Sequence, residues 1–229
     1  MSDREILIIE DEADLAETLR FNLEREGYRV RCLLEGRLAA AEARRKPPHL
    51  VILDRMLPGV SGDEVIAQLK SDRATRGIPV IMLTAKADEA DELVGFALGA
   101  DDYITKPFSM KRLLARVRAI LSRSEAPAKD MEVLASGPVR LDPARHEVTV
   151  DGSPAPLTAT EFRLLRVLMA ADGRVLGRGQ LIDAVLGETA AVTDRAIDVH
   201  VTGLRKKLGR AAPWVQTVRG VGYTFREPR

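Results

Sequence analysis

Three short apolar runs in the first half of the chain each end in charged residues, and this pattern limits what the chain can fold into. The first run ends at Glu10 and Asp11, the second at Asp54 and the third at Lys106. Apolar runs of this length are typical of buried parallel strands, and open α/β sheets gather ligand-binding groups at the carboxyl ends of such strands. The sequence therefore predicts one crevice that contains three carboxylates and an ammonium group.

Amphipathic segments with helical spacing alternate with the apolar runs. Strands are predicted at Glu5–Ile9, Arg29–Leu34, Leu50–Asp54, Pro79–Thr84 and Asp102–Thr105. Helices are predicted at Asp11–Glu26, Leu38–Arg45, Gly62–Ser71, Asp88–Leu98 and Met110–Ser124. Five strands that alternate with five helices predict an α/β fold with a doubly wound, five-stranded parallel sheet.

The predicted carboxylate cluster of Glu10, Asp11 and Asp54 needs a cation, because like charges a few ångströms apart repel. Oxygen ligands without a nearby set of His or Cys residues favour Mg²⁺ over zinc. Bound Mg²⁺ and Lys106 together could neutralise an incoming phosphoryl group. Asp54 is therefore a candidate nucleophile that forms an aspartyl phosphate.

The second half of the chain has a different pattern, which predicts an α+β winged helix-turn-helix domain. A small, polar stretch from Ser122 to Lys129 has the composition of a linker. We predict a first domain over residues 1–124, a linker over residues 125–132 and a second domain over residues 133–229. Its predicted elements are short strands at Val139–Leu141 and Glu147–Val150, helices at Thr160–Ala170, Arg178–Val185 and Asp194–Leu208, and a hairpin of Val215–Arg219 with Tyr223–Arg226.

Charge and cysteine content exclude few classes of function. The formal net charge of +1 does not indicate a nucleic-acid-binding protein, but basic residues are concentrated from Arg195 to the end of the chain. That concentration fits phosphate contacts and a solvated surface about equally well. The single cysteine, Cys32, excludes an internal disulfide bond. With no apolar leader or membrane span in the sequence, we expect a cytoplasmic protein.

These motifs resemble the OmpR/PhoB family of two-component response regulators over essentially the whole chain. The resemblance implies a flavodoxin/CheY-like receiver domain, phosphorylated on Asp54 by a sensor histidine kinase, and a domain that binds promoter DNA to regulate transcription. It implies that Mg²⁺ is held by Glu10, Asp11, Asp54 and the main-chain carbonyl of Met56. It also implies phosphoryl contacts from Thr84 and Lys106, a switch role for Tyr103, and a cis peptide at Lys106-Pro107. From the residues alone, Thr84 could simply fill space and Tyr103 could simply be core.

The helix predicted at Asp194–Leu208 resembles the recognition helix of the family. An apolar stripe along it predicts a buried face, with His200 on the buried side. Its other face predicts DNA contacts, which the resemblance extends to the wing; the candidates are Arg195, Thr202, Arg205, Lys206, Arg219 and Tyr223. Two departures from the family concern the residues that would select the operator and contact RNA polymerase. Thr202-Gly203 stands where relatives often carry two arginines, and Leu186-Gly187 stands where phosphate-regulon members carry a tryptophan that contacts the polymerase.

The resemblance also implies a homodimer on activation, through the fourth helix, the fifth strand and the fifth helix. Two candidate charge pairs keep the polarity of the family, namely Asp102 with Arg116 and Asp101 with Arg118. A third pair, Glu92 with Arg112, has reversed polarity. We interpret this reversal as a means of excluding mixed dimers with relatives, although exposed pairs of this kind are often only solvated surface charges.

Two other classes of function compete with a phosphorylation-gated transcription factor. A phosphohydrolase or phosphotransferase could also use an Asp54 phosphoenzyme, but such enzymes commonly carry a second carboxylate two residues later, where this chain has Met56. A DNA-binding protein with a vestigial receiver is excluded only if Asp54 is modified. We favour the transcription factor, which is not an enzyme, with a weak leaning toward phosphate-starvation control.

Overall fold

The computed structural model describes residues 4–85, 95–122, 132–187 and 194–228. The chain divides into two compact units, Met1–Ser122 and Arg123–Arg229. Each unit has its own core and is described by itself.

The first unit contains one parallel sheet of five strands in the order β2-β1-β3-β4-β5. The strands are β1 (Glu5–Ile9), β2 (Arg29–Leu33), β3 (Leu50–Asp54), β4 (Val80–Thr84) and β5 (Asp102–Thr105). Every residue of β1, β3 and β4 is buried. Strands that are covered on both faces need continuous apolar sequence, which explains why the apolar runs predicted them. The predicted doubly wound sheet is confirmed.

Helices connect these strands. They are α1 (Ala13–Arg25), α2 (Ala39–Arg45), α3 (Gly62–Ser71), α4 (residues 95–98 of the described chain) and α5 (Met110–Ser122). A 3₁₀ turn at Gly36–Leu38 precedes α2, so that helix begins one residue later than predicted. The predicted helix Asp88–Leu98 lies mostly outside the described residues, and its last four residues are helical. Leu19 and Leu23 of α1 pack with Leu113 and Val117 of α5 in one buried cluster with the sheet.

The second unit begins with a four-stranded antiparallel sheet and ends in a three-stranded one. The first sheet has the order β6-β7-β8-β9 (Leu134–Ser136, Val139–Asp142, Glu147–Val150 and Ser153–Pro154). The helices are α6 (Ala159–Ala170), α7 (Arg178–Val185) and α8 (Asp194–Leu208). Two strands, β11 (Val215–Val218) and β12 (Gly222–Phe225), form the wing hairpin, and β10 (Leu176–Gly177) pairs with β12. This is the predicted winged helix-turn-helix.

The apolar stripe of α8 forms part of the core of the second unit, as its spacing predicted. Ile197, Val201 and Leu204 are completely buried, and so is nearly all of Leu208. The β6–β7 turn is one of the contacts between the first sheet and the rest of the unit. There Gly137 has φ +56°, and a Cβ atom on it would lie 2.1 Å from the ring of Trp214. Glycine is therefore required at this turn for its backbone conformation and for the contact with Trp214.

We expect Gly137→Ala to destabilise the second unit by about 2–4 kcal/mol, because it combines an unfavourable positive φ with overpacking against Trp214. Gly152→Ala is the matched control, since Gly152 has φ +78° and nothing within 4 Å of the added Cβ. It should cost only about 1 kcal/mol. Urea unfolding followed by Trp214 fluorescence measures both values. Equal losses for the two variants would show that the Trp214 contact does not matter.

Candidate phosphorylation site and DNA-binding surface

The sheet topology brings the three predicted carboxylates together. Strands β1 and β3 are neighbours, so Glu10 and Asp11 after β1 lie beside Asp54 at the end of β3. One oxygen of each of these carboxylates lies within 4.8 Å of the others. Glu10 and Asp54 are buried and Asp11 is exposed. One member of the cluster therefore remains open to an entering ligand.

Lys106 follows β5 and reaches two of these carboxylates. Its Nζ atom lies 2.6 Å from Asp54 Oδ2 and 2.8 Å from Glu10 Oε2. The Lys106-Pro107 peptide is cis, as expected. Burial disfavours the charged form of Lys106, but the hydrogen bonds to Asp54 and Glu10 outweigh it and raise the pKa of the ammonium group. Lys106 is thus a fixed positive charge in the crevice.

The environment of Asp54 keeps it ionised. Burial alone would raise its pKa, but hydrogen bonds from Lys106 and from the main-chain N–H of Met56, at 3.0 Å from Oδ1, lower the pKa below its ordinary value. An ionised carboxylate has the free electron pair that a nucleophile needs.

Glu10 behaves in the opposite way. Burial, opposed by Lys106 but reinforced by the nearby charge of Asp54, raises the pKa of Glu10 to about 7. A second cation would relieve this cost, because it would favour the charged form. The three side chains of the cluster all offer carboxylate oxygens, which is the chemistry that Mg²⁺ takes. The residues present therefore fit such an ion.

The predicted phosphoryl contact, Thr84, and the predicted switch residue, Tyr103, lie on the neighbouring strands β4 and β5. Thr84 is buried at the end of β4, which pairs with both β3 and β5. Tyr103 is also buried, and its ring packs edge-on against Phe96 with centroids 4.8 Å apart. A Cβ atom on Gly95 would lie 1.3 Å from the Tyr103 hydroxyl, so the ring occupies space that only glycine leaves on α4.

The predicted dimer residues make contacts within one chain that the sequence pattern did not indicate. Arg116 and Asp102 form a buried ion pair at 2.9 Å. The carboxylate of Asp101 is buried and accepts from the main-chain N–H of Val80 at 2.8 Å, and Lys70 lies 3.3 Å away. Within one chain the Asp101 carboxylate pairs with Lys70, and its pairing with Arg118 of a second copy stays a prediction.

The remaining dimer candidates are more peripheral. Arg118 of α5 forms an ion pair with Glu26, which follows α1. Arg112 is exposed at the start of α5. Glu92, its predicted counterpart, lies outside the described residues.

In the second unit, three of the predicted DNA contacts are exposed on α8, and one follows β11. Arg195, Thr202 and Lys206 lie on the face of α8 opposite its apolar stripe, and Arg219 is exposed in the wing turn. His200 is buried, as predicted. These side chains form a surface with positive charge on both the helix and the wing.

Arg205 and Tyr223 were predicted as DNA contacts, but both make contacts inside the unit. The guanidinium of Arg205 donates to the carbonyl of Val215 at 2.7 and 3.0 Å and to Thr217 Oγ1 at 2.8 Å. The buried Tyr223 donates its hydroxyl to Asp198 Oδ1 at 2.6 Å. These bonds connect α8 to both wing strands and fix the angle between them.

Two residues of this network, Arg178 and Asp198, were not predicted to take part in it. Arg178, the first residue of α7, donates to Asp198 Oδ1 at 2.8 Å. The guanidinium groups of Arg178 and Arg205 lie 5.1 and 5.7 Å from the centroid of the Tyr223 ring. The sequence feature that could have indicated this network is Asp198. It places a negative charge on a face of α8 that otherwise suits DNA, and such a charge is stabilised by a positive partner.

Comparisons with known proteins agree with this geometry. Residues 6–118 match the family described as "Response regulator receiver domain", and residues 152–225 match "Transcriptional regulatory protein, C terminal". The sensory transduction protein RegX3 of Mycolicibacterium smegmatis is 47% identical over 224 residues, which cover 95% of this chain and 97% of RegX3. The phosphate regulon transcriptional regulatory protein PhoB of Pseudomonas aeruginosa is 45% identical over 226 residues, 98% of each chain. This chain belongs to the OmpR/PhoB family of two-component response regulators.

Solved structures of response regulators show the same fold. A mutant of RitR has a TM-score of 0.81 and 30% identity, and the match covers 98% of this chain and 99% of that chain. The response regulator DrrB of Thermotoga maritima, described as an OmpR/PhoB homologue, has a TM-score of 0.51 and 30% identity, and the match covers 99% of this chain and 100% of that chain. Within the described residues of this response regulator, no helix is long and apolar enough to cross a membrane.

In the presence of a chelator, the raised pKa of Glu10 predicts that the difference in stability between wild type and Glu10→Gln depends on pH. An acid whose pKa is raised on folding contributes stability that is present below its ordinary value of 4.5 and is lost as the pH rises through about 7. Glu10→Gln should therefore be more stable than wild type above pH 7, by up to about 3 kcal/mol, and should lose this advantage below pH 4.5.

Hydrogen exchange of the β1 and β3 amides in the full chain, compared with wild type at each pH, measures this difference. Glu17→Gln is the control, because Glu17 lies exposed on α1. A Glu10→Gln variant whose amides exchange faster than those of wild type at pH 8 would contradict the assignment of Glu10 as a strained buried charge.

Proposed function

We propose that Asp54 of this response regulator accepts a phosphoryl group from the phosphohistidine of a sensor histidine kinase, in a Mg²⁺-dependent reaction. The observation that supports this proposal is the crevice in which the buried Asp54 carboxylate lies 2.6 Å from Lys106 and within 4.8 Å of Glu10 and Asp11. Phosphorylation then controls how the second unit binds promoter DNA. Both events belong to the cytoplasm, and we assign the protein to it.

The transfer follows from the charges in the crevice. An Asp54 oxygen attacks the phosphorus, a P–O bond forms, and the P–N bond to the kinase histidine breaks with its electron pair returning to the imidazole. Lys106 neutralises charge on the phosphoryl oxygens as they approach. Glu10, Asp11, Asp54 and the carbonyl of Met56 would hold Mg²⁺, which supplies further positive charge to those oxygens.

Phosphorylation changes the first unit because the aspartyl phosphate carries about two negative charges next to Thr84 and Lys106, where the Asp54 carboxylate carried one. In our proposal, the Thr84 hydroxyl donates to a phosphoryl oxygen, and Tyr103 is held in its buried position against α4. That contact links the phosphoryl group to the surface formed by α4, β5 and α5. A local charge change that biases a two-position element is a common switching mechanism.

The activated protein forms a homodimer through that α4–β5–α5 surface. Arg112 is exposed there and would face Glu92 of a second copy, which is the reverse of the polarity of relatives. Buried ion pairs lie beneath this surface and involve Asp101, Asp102 and Arg116. Arg118 lies at the margin of the surface beside Glu26. We also propose RNA polymerase as a partner on promoters, through a contact other than the tryptophan that Leu186 replaces.

A regulator fits this chain better than an enzyme acting on small molecules. An enzyme with an aspartyl-phosphate intermediate needs a group to activate water, and the side chain two residues after Asp54 is the exposed thioether of Met56. The DNA-binding unit has no role in such an enzyme.

The site assignment is tested by phosphorylation of the full chain with a small phosphodonor. We expect wild type to gain acid-labile phosphate in Mg²⁺ but not in excess chelator, and Asp54→Asn to gain none. Asp63→Asn is the matched control, because Asp63 forms an ion pair with the adjacent Arg55 outside the carboxylate cluster. It should label like wild type. Normal labelling of Asp54→Asn, or full labelling of wild type in chelator, would place the phosphate elsewhere.

Replacing Arg219 and replacing Arg205 should affect different properties of the second unit. Arg219→Ala should weaken DNA binding and reduce the magnitude of the log–log salt slope by about 0.9, as expected for one lost phosphate contact. Arg205→Ala should instead lower the stability of the second unit, because it removes the bonds to Val215 and Thr217. A salt titration of DNA affinity together with urea unfolding separates the effects. An unchanged slope for Arg219→Ala would remove Arg219 from the phosphate contacts.

A further inference from the structure

The central turn of α8 offers a single exposed side chain to a DNA groove. Across residues 199–203, which the structure describes throughout, Thr202 is exposed, His200 and Val201 are buried, and Val199 and Gly203 are intermediate. Thr202 lies one helical turn from Lys206 and two turns from Arg195, which are also exposed. Thr202 is therefore the side chain of this turn that is placed to contact a base pair.

The hydroxyl of Thr202 is restricted in what it can recognise. It donates its hydrogen to the carbonyl of Asp198 at 2.8 Å. The oxygen can therefore accept a hydrogen bond from a base but has no hydrogen left to donate. Because the Thr202 hydroxyl is directed back along the helix toward Asp198, the methyl group is the other substituent of Cβ that can contact a base.

Base pairs differ in whether they suit such a side chain. A G·C pair presents the two acceptors of guanine, which need a donor such as arginine, and the amino group of cytosine without a methyl group. An A·T pair presents the amino group of adenine and, beyond the O4 acceptor of thymine, the methyl group of thymine. An acceptor and a methyl group match the second pattern. We propose that Thr202 makes α8 select an A·T pair, and disfavour guanine, at the base pair that it faces. This inference rests on the proposed DNA-binding role of α8.

Position 203 cannot carry a side chain that contacts the base pair in place of Thr202. A Cβ atom there would lie 2.6 Å from Glu161 Oε1. The other oxygen of that carboxylate accepts from the main-chain N–H of Thr158 at 2.7 Å and from Lys207 Nζ at 2.6 Å. Glu161 thereby caps α6 and connects it to α8, so a side chain at position 203 would disturb that contact. Recognition on this turn is left to Thr202.

The test uses the phosphorylated full chain and begins with selection of binding sites from random duplex DNA. The base pair whose preference changes between wild type and Thr202→Arg is the one that residue 202 faces. We expect A·T there for wild type and guanine for Thr202→Arg. In the selected duplex, replacing thymine by deoxyuridine removes the methyl group, and replacing adenine by purine removes the amino group.

Each chemical change should affect a different variant. Wild type should lose about fourfold in affinity for the deoxyuridine duplex, the value expected for one buried methyl group. Thr202→Ser, which lacks the methyl group, should be insensitive to deoxyuridine. Thr202→Val, which lacks the acceptor, should be insensitive to purine but not to deoxyuridine. Thr18→Ser is the matched control, since Thr18 on α1 is exposed and donates to the Asp14 carbonyl at the same 2.8 Å. It should bind like wild type.

Two failures are distinguishable. If wild type selects no sequence at all, the proposed DNA-binding role fails, and the role of Thr202 fails with it. If wild type selects a sequence, but every folded Thr202 variant keeps the same preference and the same response to deoxyuridine, only the role of Thr202 is contradicted.

Discussion

The ion pair between Lys106 and the carboxylates of Asp54 and Glu10 is the contact on which the first unit depends. It joins the ends of β1, β3 and β5, which are not adjacent in sequence, and it places two buried carboxylates against one ammonium group. Burial of unequal charge is expensive unless it is compensated, and here the cost falls on Glu10, whose pKa rises to about 7. The crevice is therefore prepared for a further cation.

The second unit also contains a carboxylate that needs partners, and in this unit the partners are present. Asp198 places a negative charge on the face of α8 that is otherwise suited to DNA, and Arg178 and Tyr223 both donate to it. These bonds, together with those of Arg205, connect α7, α8 and the wing. The surface that we propose for DNA binding is thus shaped by internal charge pairs, while Thr202 and Lys206 on the helix and Arg219 on the wing remain exposed. This division explains why a chain with a net charge of +1 can carry a localised DNA-binding surface.

Features that depend on local sequence could be predicted, and features that depend on distant packing could not. The buried strands β1, β3 and β4 followed from continuous apolar runs, and their shared sheet edge placed Glu10, Asp54 and Lys106 together. Strands β6, β9 and β10 have only two or three residues, which is too short for a periodic pattern. Arg116 and Asp102 were predicted only as a pair between two copies, because sequence alone does not show that both side chains turn inward; the pairing between copies stays a prediction. Arg205 was assigned to DNA for the same reason.

In our proposal, phosphate on Asp54 controls DNA binding by the second unit. Fluorescence anisotropy with a labelled duplex, selected from a random pool, measures the affinity of the full chain before and after treatment with a phosphodonor in Mg²⁺. We expect treatment to tighten binding by wild type, within the range of about five- to 150-fold that is typical of coupling between sites, and to leave binding by Asp54→Asn unchanged. Equal tightening of both proteins, or no change in a wild type that carries the phosphate, would contradict it.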